Sequence, residues 1–155
     1  MPNRYGLAIR AANAGDAEGI GALLRAAGLA VDHRGLPLRL EEIPLQAGLV
    51  LLAEDWGPPG GVLALRWSWT LFEAQKVAEV TALVVDPEQR RKGIARLLLK
   101  AAARAARSAG CGELRLLAPA GVTGLGEFCA ATGFGRIGES FARPLRKRGA
   151  ADDQD

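Results

Sequence analysis

The stretch Val84-Val85-Asp86-Pro87-Glu88-Gln89-Arg90-Arg91-Lys92-Gly93-Ile94-Ala95-Arg96 decides the fold. A valine-rich run stops at Asp86-Pro87, a turn by composition. Three basic residues follow. A helical period then opens at Ile94, with Leu97, Leu98, Ala101, Ala102 and Ala105 on one face. Arg96, Lys100, Arg104 and Arg107 fall on the other face, and Gly110 closes the helix. The segment therefore predicts strand, basic turn and long helix. A helix start carries unpaired N–H groups and the positive end of the dipole. Next to a basic turn it makes an anion site suited to phosphate. Gly93 lets a ligand approach the backbone, and Ala95 keeps the first turn small. The plainer reading of these residues is a capped helix behind a solvated basic turn, since short loop motifs match often by chance.

Upstream, residues 77–85 predict a strand. Residues 48–54 and 62–70 predict two more, joined through Asp55-Trp56-Gly57-Pro58-Pro59-Gly60-Gly61 as a hairpin with a long turn. Nearer the start, residues 7–10 suit a short strand, and Asn13 or Asp16 offers a helix cap. Ile20, Leu23, Leu24 and Ala27 follow at helical spacing, with Gly28 as the stop. Residues 36–46 stay ambiguous, because Pro37 and Pro44 allow only a short or broken helix. Downstream, residues 113–118 predict a strand. Residues 123–132 predict a helix capped by a left-handed Gly133, and Phe134 starts a returning strand. A hairpin meander followed by β-α-β gives an α/β (mixed α+β) fold with helices on both faces of a mixed sheet.

The chain has 155 residues, 49% of them hydrophobic and 24% charged. That composition suits one globular domain and excludes disorder or a collagen-like chain. Residues 1–148 are assigned to the domain, and the acidic end, 149–155, to a disordered tail. The net charge of +3 is too small for a dedicated nucleic-acid binder, but it fits a phosphorylated ligand. Cys111 and Cys129 are too few for a disulfide framework, and one histidine with two distant cysteines makes no metal site. No apolar run reaches the roughly 18 residues of a membrane span, and the start lacks a signal-peptide core. These features point to a cytoplasmic protein without membrane or nucleic-acid partners; the expected state is monomer or homodimer, which no feature of the sequence decides.

The central segment resembles the GNAT superfamily of acetyl-CoA-dependent N-acetyltransferases. The family signature is Arg/Gln-x-x-Gly-x-Gly/Ala after a strand that ends in a Val-x-Pro-like turn. It reads here as Val85-Asp86-Pro87 and then Arg90-Arg91-Lys92-Gly93-Ile94-Ala95. Ile9-Arg10 with Asp16-Ala17 is similar to the family's first strand and helix, and Gly133-Phe134 to its closing segment. The resemblance implies a central, largely antiparallel sheet that splays between strands 77–85 and 113–118, with pantetheine in the opening. It implies that Leu83, Val84 and Val85 offer backbone groups to pantetheine. It further implies that the amides from Arg91 through Lys92, Gly93, Ile94 and Ala95 to Arg96 hold the pyrophosphate. Arg90, Arg91, Lys92 or Lys100 would reach the ribose phosphate by charge.

Acetyl transfer to an amine needs a base for the amine and an acid for the leaving thiolate. Glu79 lies inside the strand Val77-Ala78-Glu79-Val80-Thr81-Ala82-Leu83, and strict alternation puts Glu79, Thr81 and Leu83 on one face. Many family members carry a glutamate here that acts as base through water. The competing reading is a rim carboxylate that only solubilises the strand. The family's usual tyrosine acid is absent, since Cys129 stands at its place in Phe128-Cys129-Ala130-Ala131-Thr132-Gly133-Phe134. A thiol with a reference pKa near 8.5 can donate a proton. More often such a cysteine is core, and water then serves as acid. Trp67 and Trp69 share a face with Leu63 and Leu65, which suggests packing. Arg66 and Ser68 occupy the other face, and His33 lies in an exposed loop. The expected activity is N-acetyl transfer from acetyl-CoA to an amine, directly in a ternary complex. The alternative is a non-catalytic acyl-CoA-binding regulatory module.

Overall fold

The computed structural model describes residues 6–117 and 124–146. Five strands and four α-helices are present among them. In chain order they are β1 (Ala8–Ala11), α1 (Ala17–Ala26), α2 (Leu36–Leu45), β2 (Gly48–Glu54), β3 (Gly61–Ser68), β4 (Lys76–Val85), α3 (Ile94–Ser108), β5 (Cys111–Leu116) and α4 (Leu125–Ala131). The strands form one sheet in sequence order, antiparallel throughout except for the parallel β4–β5 pair. A parallel pair needs a crossover, and α3 supplies it.

Asn13 caps a single 3-10 turn, Ala14–Asp16, and Asp16 returns the bond to the Asn13 N–H as a capping box. α2 resolves the ambiguous proline segment. Pro37 sits in its first turn, where the missing N–H costs nothing, and Pro44 sits in its last turn. Layering follows strand alternation. On one face Leu51, Leu63, Leu65, Ala78 and Val80 pack against Ile94, Leu98, Leu99, Ala102 and Ala106 of α3. On the other, Val50, Leu52 and Val62 pack against Ile20 and Leu23 of α1 and Leu36 and Leu40 of α2.

Three expectations fail. Strict alternation through β4 is broken by a bulge. Ala64 pairs Ala82 while Leu65 pairs Val80, so Thr81 is an extra residue. The bulge moves Leu83 to the α3 face, where it packs with Val85, and leaves Glu79 on the opposite face. Trp69 lies past the end of β3 and is exposed, whereas Trp67 does pack on the core. Residues 134–146 form no strand. Gly135 and Gly138, the second at φ 153°, interrupt an extended run there, and Pro144 removes a ladder donor. The expected Gly133 cap is present at φ 91°. Ala118 at the end of the expected strand 113–118, Thr123 and the tail 149–155 lie outside the described residues.

Candidate functional site

The site begins where β4 and β5 part. Their parallel ladder runs from Lys76↔Cys111 to Val80↔Leu116 and ends with the Leu117 N–H donating to the Val80 carbonyl at 3.0 Å. β4 continues to Val85, paired there with β3 alone among the described residues. The Asp86 N–H donates to the Gly60 carbonyl at 2.9 Å. By alternation the main chain of Val84 also faces β3, and the N–H and C=O groups of Leu83 and Val85 face the opening.

At the end of β4, Asp86 accepts from the Glu88 N–H at 3.0 Å and so starts a 3-10 turn, Pro87–Lys92. Gly93 then takes φ 75°, a left-handed conformation costly for any residue with a Cβ. Among the described residues, its own chain neighbours aside, nothing lies within 4 Å of the place its Cβ would occupy. The first α3 hydrogen bond runs from the Leu97 N–H to the Gly93 carbonyl at 3.1 Å. The amides of Ile94, Ala95 and Arg96 thus precede the helical ladder, with no side-chain cap across them. Ile94 is fully buried and anchors this start against β3. A Cβ on Gly61 would fall 2.6 Å from Ile94 Cγ2 and 3.0 Å from Leu98 Cδ1. Arg90, Lys92 and Arg96 are exposed around the turn. Arg96, Lys100 and Arg107 line an open groove of about 450 Å³, bounded by Leu114, Thr132 and Phe134. This basic side of α3 is therefore a groove wall as well as a solvated face.

Glu79 stands at the root of the opening, one residue before the last β4–β5 pair, on the side facing away from α3. It lies in a row across the sheet: Gly48 on β2, Arg66 on β3, Glu79 on β4 and Arg115 on β5 are successive register partners. Arg66 donates to Glu79 Oε1 at 2.8 Å. Arg115 is engaged elsewhere, by Glu73 at 2.8 Å and by Glu113. Cys129 is half-buried on α4, and burial pushes its thiol pKa up. α4 packs through Phe128 on the α3-side cluster. Glu79 thus projects from the face of the sheet opposite the one on which α4 packs.

The sequence reading missed three features. Gly60-Gly61 read as a turn, yet both are buried, Gly60 against Gln89 and Gly61 beneath Ile94 of α3, which leaves no room for a side chain at Gly61. Arg66 was placed on its face without a partner, because the bulge shifts the register that brings it to Glu79. The bulge itself has no sequence signal here, since Thr81 is an ordinary strand residue.

The sequence model described as the acetyltransferase (GNAT) family matches residues 23–125. No curated protein matches the chain. Among solved structures, the fold is similar to AAC(6')-Iy in complex with a CoA-S-monomethyl-acetylneamine bisubstrate analogue (TM-score 0.77, 19% identity, covering 90% of this chain and 98% of that one). It is also similar to glucosamine-6-phosphate N-acetyltransferase from Arabidopsis thaliana (TM-score 0.74, 17% identity, 90% and 99% covered). A transcriptional regulator from Bacillus halodurans shares it as well (TM-score 0.76, 19% identity, 90% and 99% covered). At these identities the likeness establishes the fold, and the family model spans more than half the chain. The chain belongs to the GNAT acetyltransferase family.

Proposed function

We propose that this protein is an N-acetyltransferase that passes an acetyl group from acetyl-CoA directly to an amine in a ternary complex. The observation that carries the reading is the parting of β4 from β5 beyond Val80, with Glu79 at its root and the uncapped start of α3 at its mouth. The residues fit the donor. The clearance at Gly93 leaves room for a pyrophosphate against the backbone. The amides from Arg91 to Arg96 would bind it, with Arg90, Lys92 and Lys100 available to the ribose phosphate by charge. The main chain of Leu83 and Val85 would align pantetheine as a further strand aligns, and Val84 would hold β4 to β3. When bound, acetyl-CoA supplies the acyl thioester.

Glu79 takes the proton from the incoming amine, directly or through one water. Its Arg66 partner fixes the carboxylate at the root of the gap. Ile94 and Leu98 keep the α3 start seated, so the amides converge without rearrangement. AAC(6')-Iy and the Arabidopsis enzyme, named for acetyl transfer or crystallised with a CoA bisubstrate analogue, support this reading.

The test is release of free CoA thiol from acetyl-CoA with a panel of amines. Amine-dependent release with acetylated product by mass spectrometry is the expected result. Acetyl-CoA binding without turnover on any amine would instead favour the acyl-CoA-binding regulatory module, which Cys129 in place of the family's tyrosine also suggests.

A further inference from the structure

The two arginines that flank Glu79 are not equivalent. Arg115 is clamped from two sides, by Glu73 and Glu113, and Glu73 is itself held by the Thr70 hydroxyl. Arg66 makes one ion pair, through one terminal nitrogen, and its side chain is 68% exposed. Its β2 neighbour in the row is Gly48, over which Ile43 of α2 packs. Among the described residues the Nε–H and the second terminal nitrogen of this guanidinium make no further hydrogen bond or ion pair. A carboxylate that would receive an amine proton is thus fixed beside a cation with donors to spare.

We propose that Arg66 is a specificity-determining residue, and that the acceptor is an amine with an anionic oxygen group, carboxylate or phosphate, close to the amine. This rests on the N-acetyltransferase reading. The acceptor's amine lies at Glu79 and its anion lies on the free edge of the Arg66 guanidinium. Planar, bidentate recognition of carboxylate or phosphate is what this group does best. A neutral or dicationic amine leaves those donors unused, and a second positive charge meets Arg66 unfavourably. Discrimination comes from the repulsion as well as the attraction.

The experiment compares matched acceptors in the thiol-release assay. One arm sets L-amino acids against their amides, and the other sets O-phosphoethanolamine against ethanolamine. In wild-type protein kcat/KM favours the anionic member of at least one pair by about tenfold or more, the scale of a hydrogen bond to a charged group. The favoured arm identifies the anion. In Arg66→Met that ratio falls toward one, mainly through KM, and Arg66→Lys restores part of it. Should no amine be acetylated, the catalytic reading fails, and the specificity proposal is decided by binding. The same pairs are titrated calorimetrically into CoA-loaded protein. Preferential binding of an anionic member, lost in Arg66→Met, upholds the proposal. Equal affinities within both pairs, no binding of any anionic member, or a preference that survives Arg66→Met would overturn it.

Discussion

Gly61 of β3 lies directly under Ile94 of α3, so close that a Cβ on the glycine would stand 2.6 Å from the isoleucine Cγ2. Ile94 is fully buried and belongs to the first turn of α3. The contact therefore sets the height of the α3 start above the sheet, and with it the position of the three uncapped amides. Gly61→Ala should destabilise the fold by about 1–3 kcal/mol, the usual cost of overpacking a core. It should also weaken acetyl-CoA binding, because the strain is relieved by moving the α3 start. Chemical denaturation gives the first quantity and calorimetric titration the second. Unchanged stability would mean that α3 is not seated on Gly61.

Gly93 separates conformation from clearance. Its φ of 75° makes Gly93→Ala cost about 1 kcal/mol of stability. Among the described residues no atom beyond its two chain neighbours lies within 4 Å of the added methyl, so the substitution meets an incoming ligand rather than an internal clash. Wild-type protein should gain about 2.7 kcal/mol of stability at a hundredfold excess of acetyl-CoA over its dissociation constant. Gly93→Ala should lose part of that gain and Gly93→Asp all of it, through charge repulsion. A thermal shift in Gly93→Asp equal to wild type would remove the pyrophosphate from this turn.

Most of the fold was legible because its signals are local. Residues 48–54 read as a strand and are β2 without change of boundary. The apolar stripe of α3 and the Gly133 cap were equally plain. What failed was non-local. The Thr81 bulge is defined only against β3, and it decides that Leu83 packs under α3 while Glu79 faces away. Trp69 matched the parity of Trp67 but lies beyond the last paired residue of β3. The segment after Phe134 has the composition of a strand, yet it pairs with no strand among the described residues, and strand structure depends on pairing as much as on propensity. The site divides the same way. The β4 end and the α3 start are contiguous in sequence and were legible together, whereas Arg66 reaches Glu79 only through the hairpin register.

Near the chain start, Arg10 joins β1 to its neighbours by donating to Asp16 at 2.6 Å and to Glu54 at 2.7 Å. The Arg10 guanidinium, helped by the Asn13 N–H and opposed by partial burial, holds the Asp16 carboxyl below its ordinary value. A depressed folded-state pKa contributes stability that is fully present above the unfolded value, about 3.9, and is lost as pH falls through the lower folded value. Asp16→Asn should therefore be less stable than wild type at neutral pH by about 1–2 kcal/mol. The gap should begin to narrow below about pH 4 and close only once the pH falls below the depressed folded value, where the wild-type carboxylate protonates. Urea denaturation of both proteins between pH 7 and pH 2 measures it. A gap that stays constant across that range would show that the charge contributes nothing.

Glu79→Gln keeps the size and hydrogen-bonding shape of the side chain but cannot accept the amine proton. Turnover should fall by about 10²–10⁴-fold, the usual contribution of a positioned base. Acetyl-CoA affinity should stay near wild type, since Glu79 faces away from α3 and its uncapped start. Arg66 remains to bind an acceptor anion, so the loss should appear in kcat more than in KM. Rates equal to wild type would leave Glu79 as a partner of Arg66 with no chemical role.

Cys129 stands where the family's proton donor is expected, and its environment argues against that use. Burial pushes its pKa up, so the thiol is protonated at neutral pH but is a weaker acid than an exposed one. The leaving group is itself a thiolate, so a donor of raised pKa gains no driving force in handing over its proton. The Cys129 carbonyl has a structural task, accepting the Phe134 N–H at 2.8 Å and the Thr132 hydroxyl at 3.2 Å at the end of α4. These are main-chain bonds that any side chain at 129 preserves. Cys129→Ala should thus lose about 1 kcal/mol of stability for the missing half-buried sulfur, with turnover per folded molecule unchanged and water as the acid. A fall of about 10²-fold or more in the chemical step, in a variant that binds acetyl-CoA normally, would make the thiol the donor after all. Cys129→Tyr gives a second reading of the same position. If water serves as acid only because the phenol is missing, the tyrosine variant should turn over faster than wild type, provided denaturation shows that the ring is accommodated.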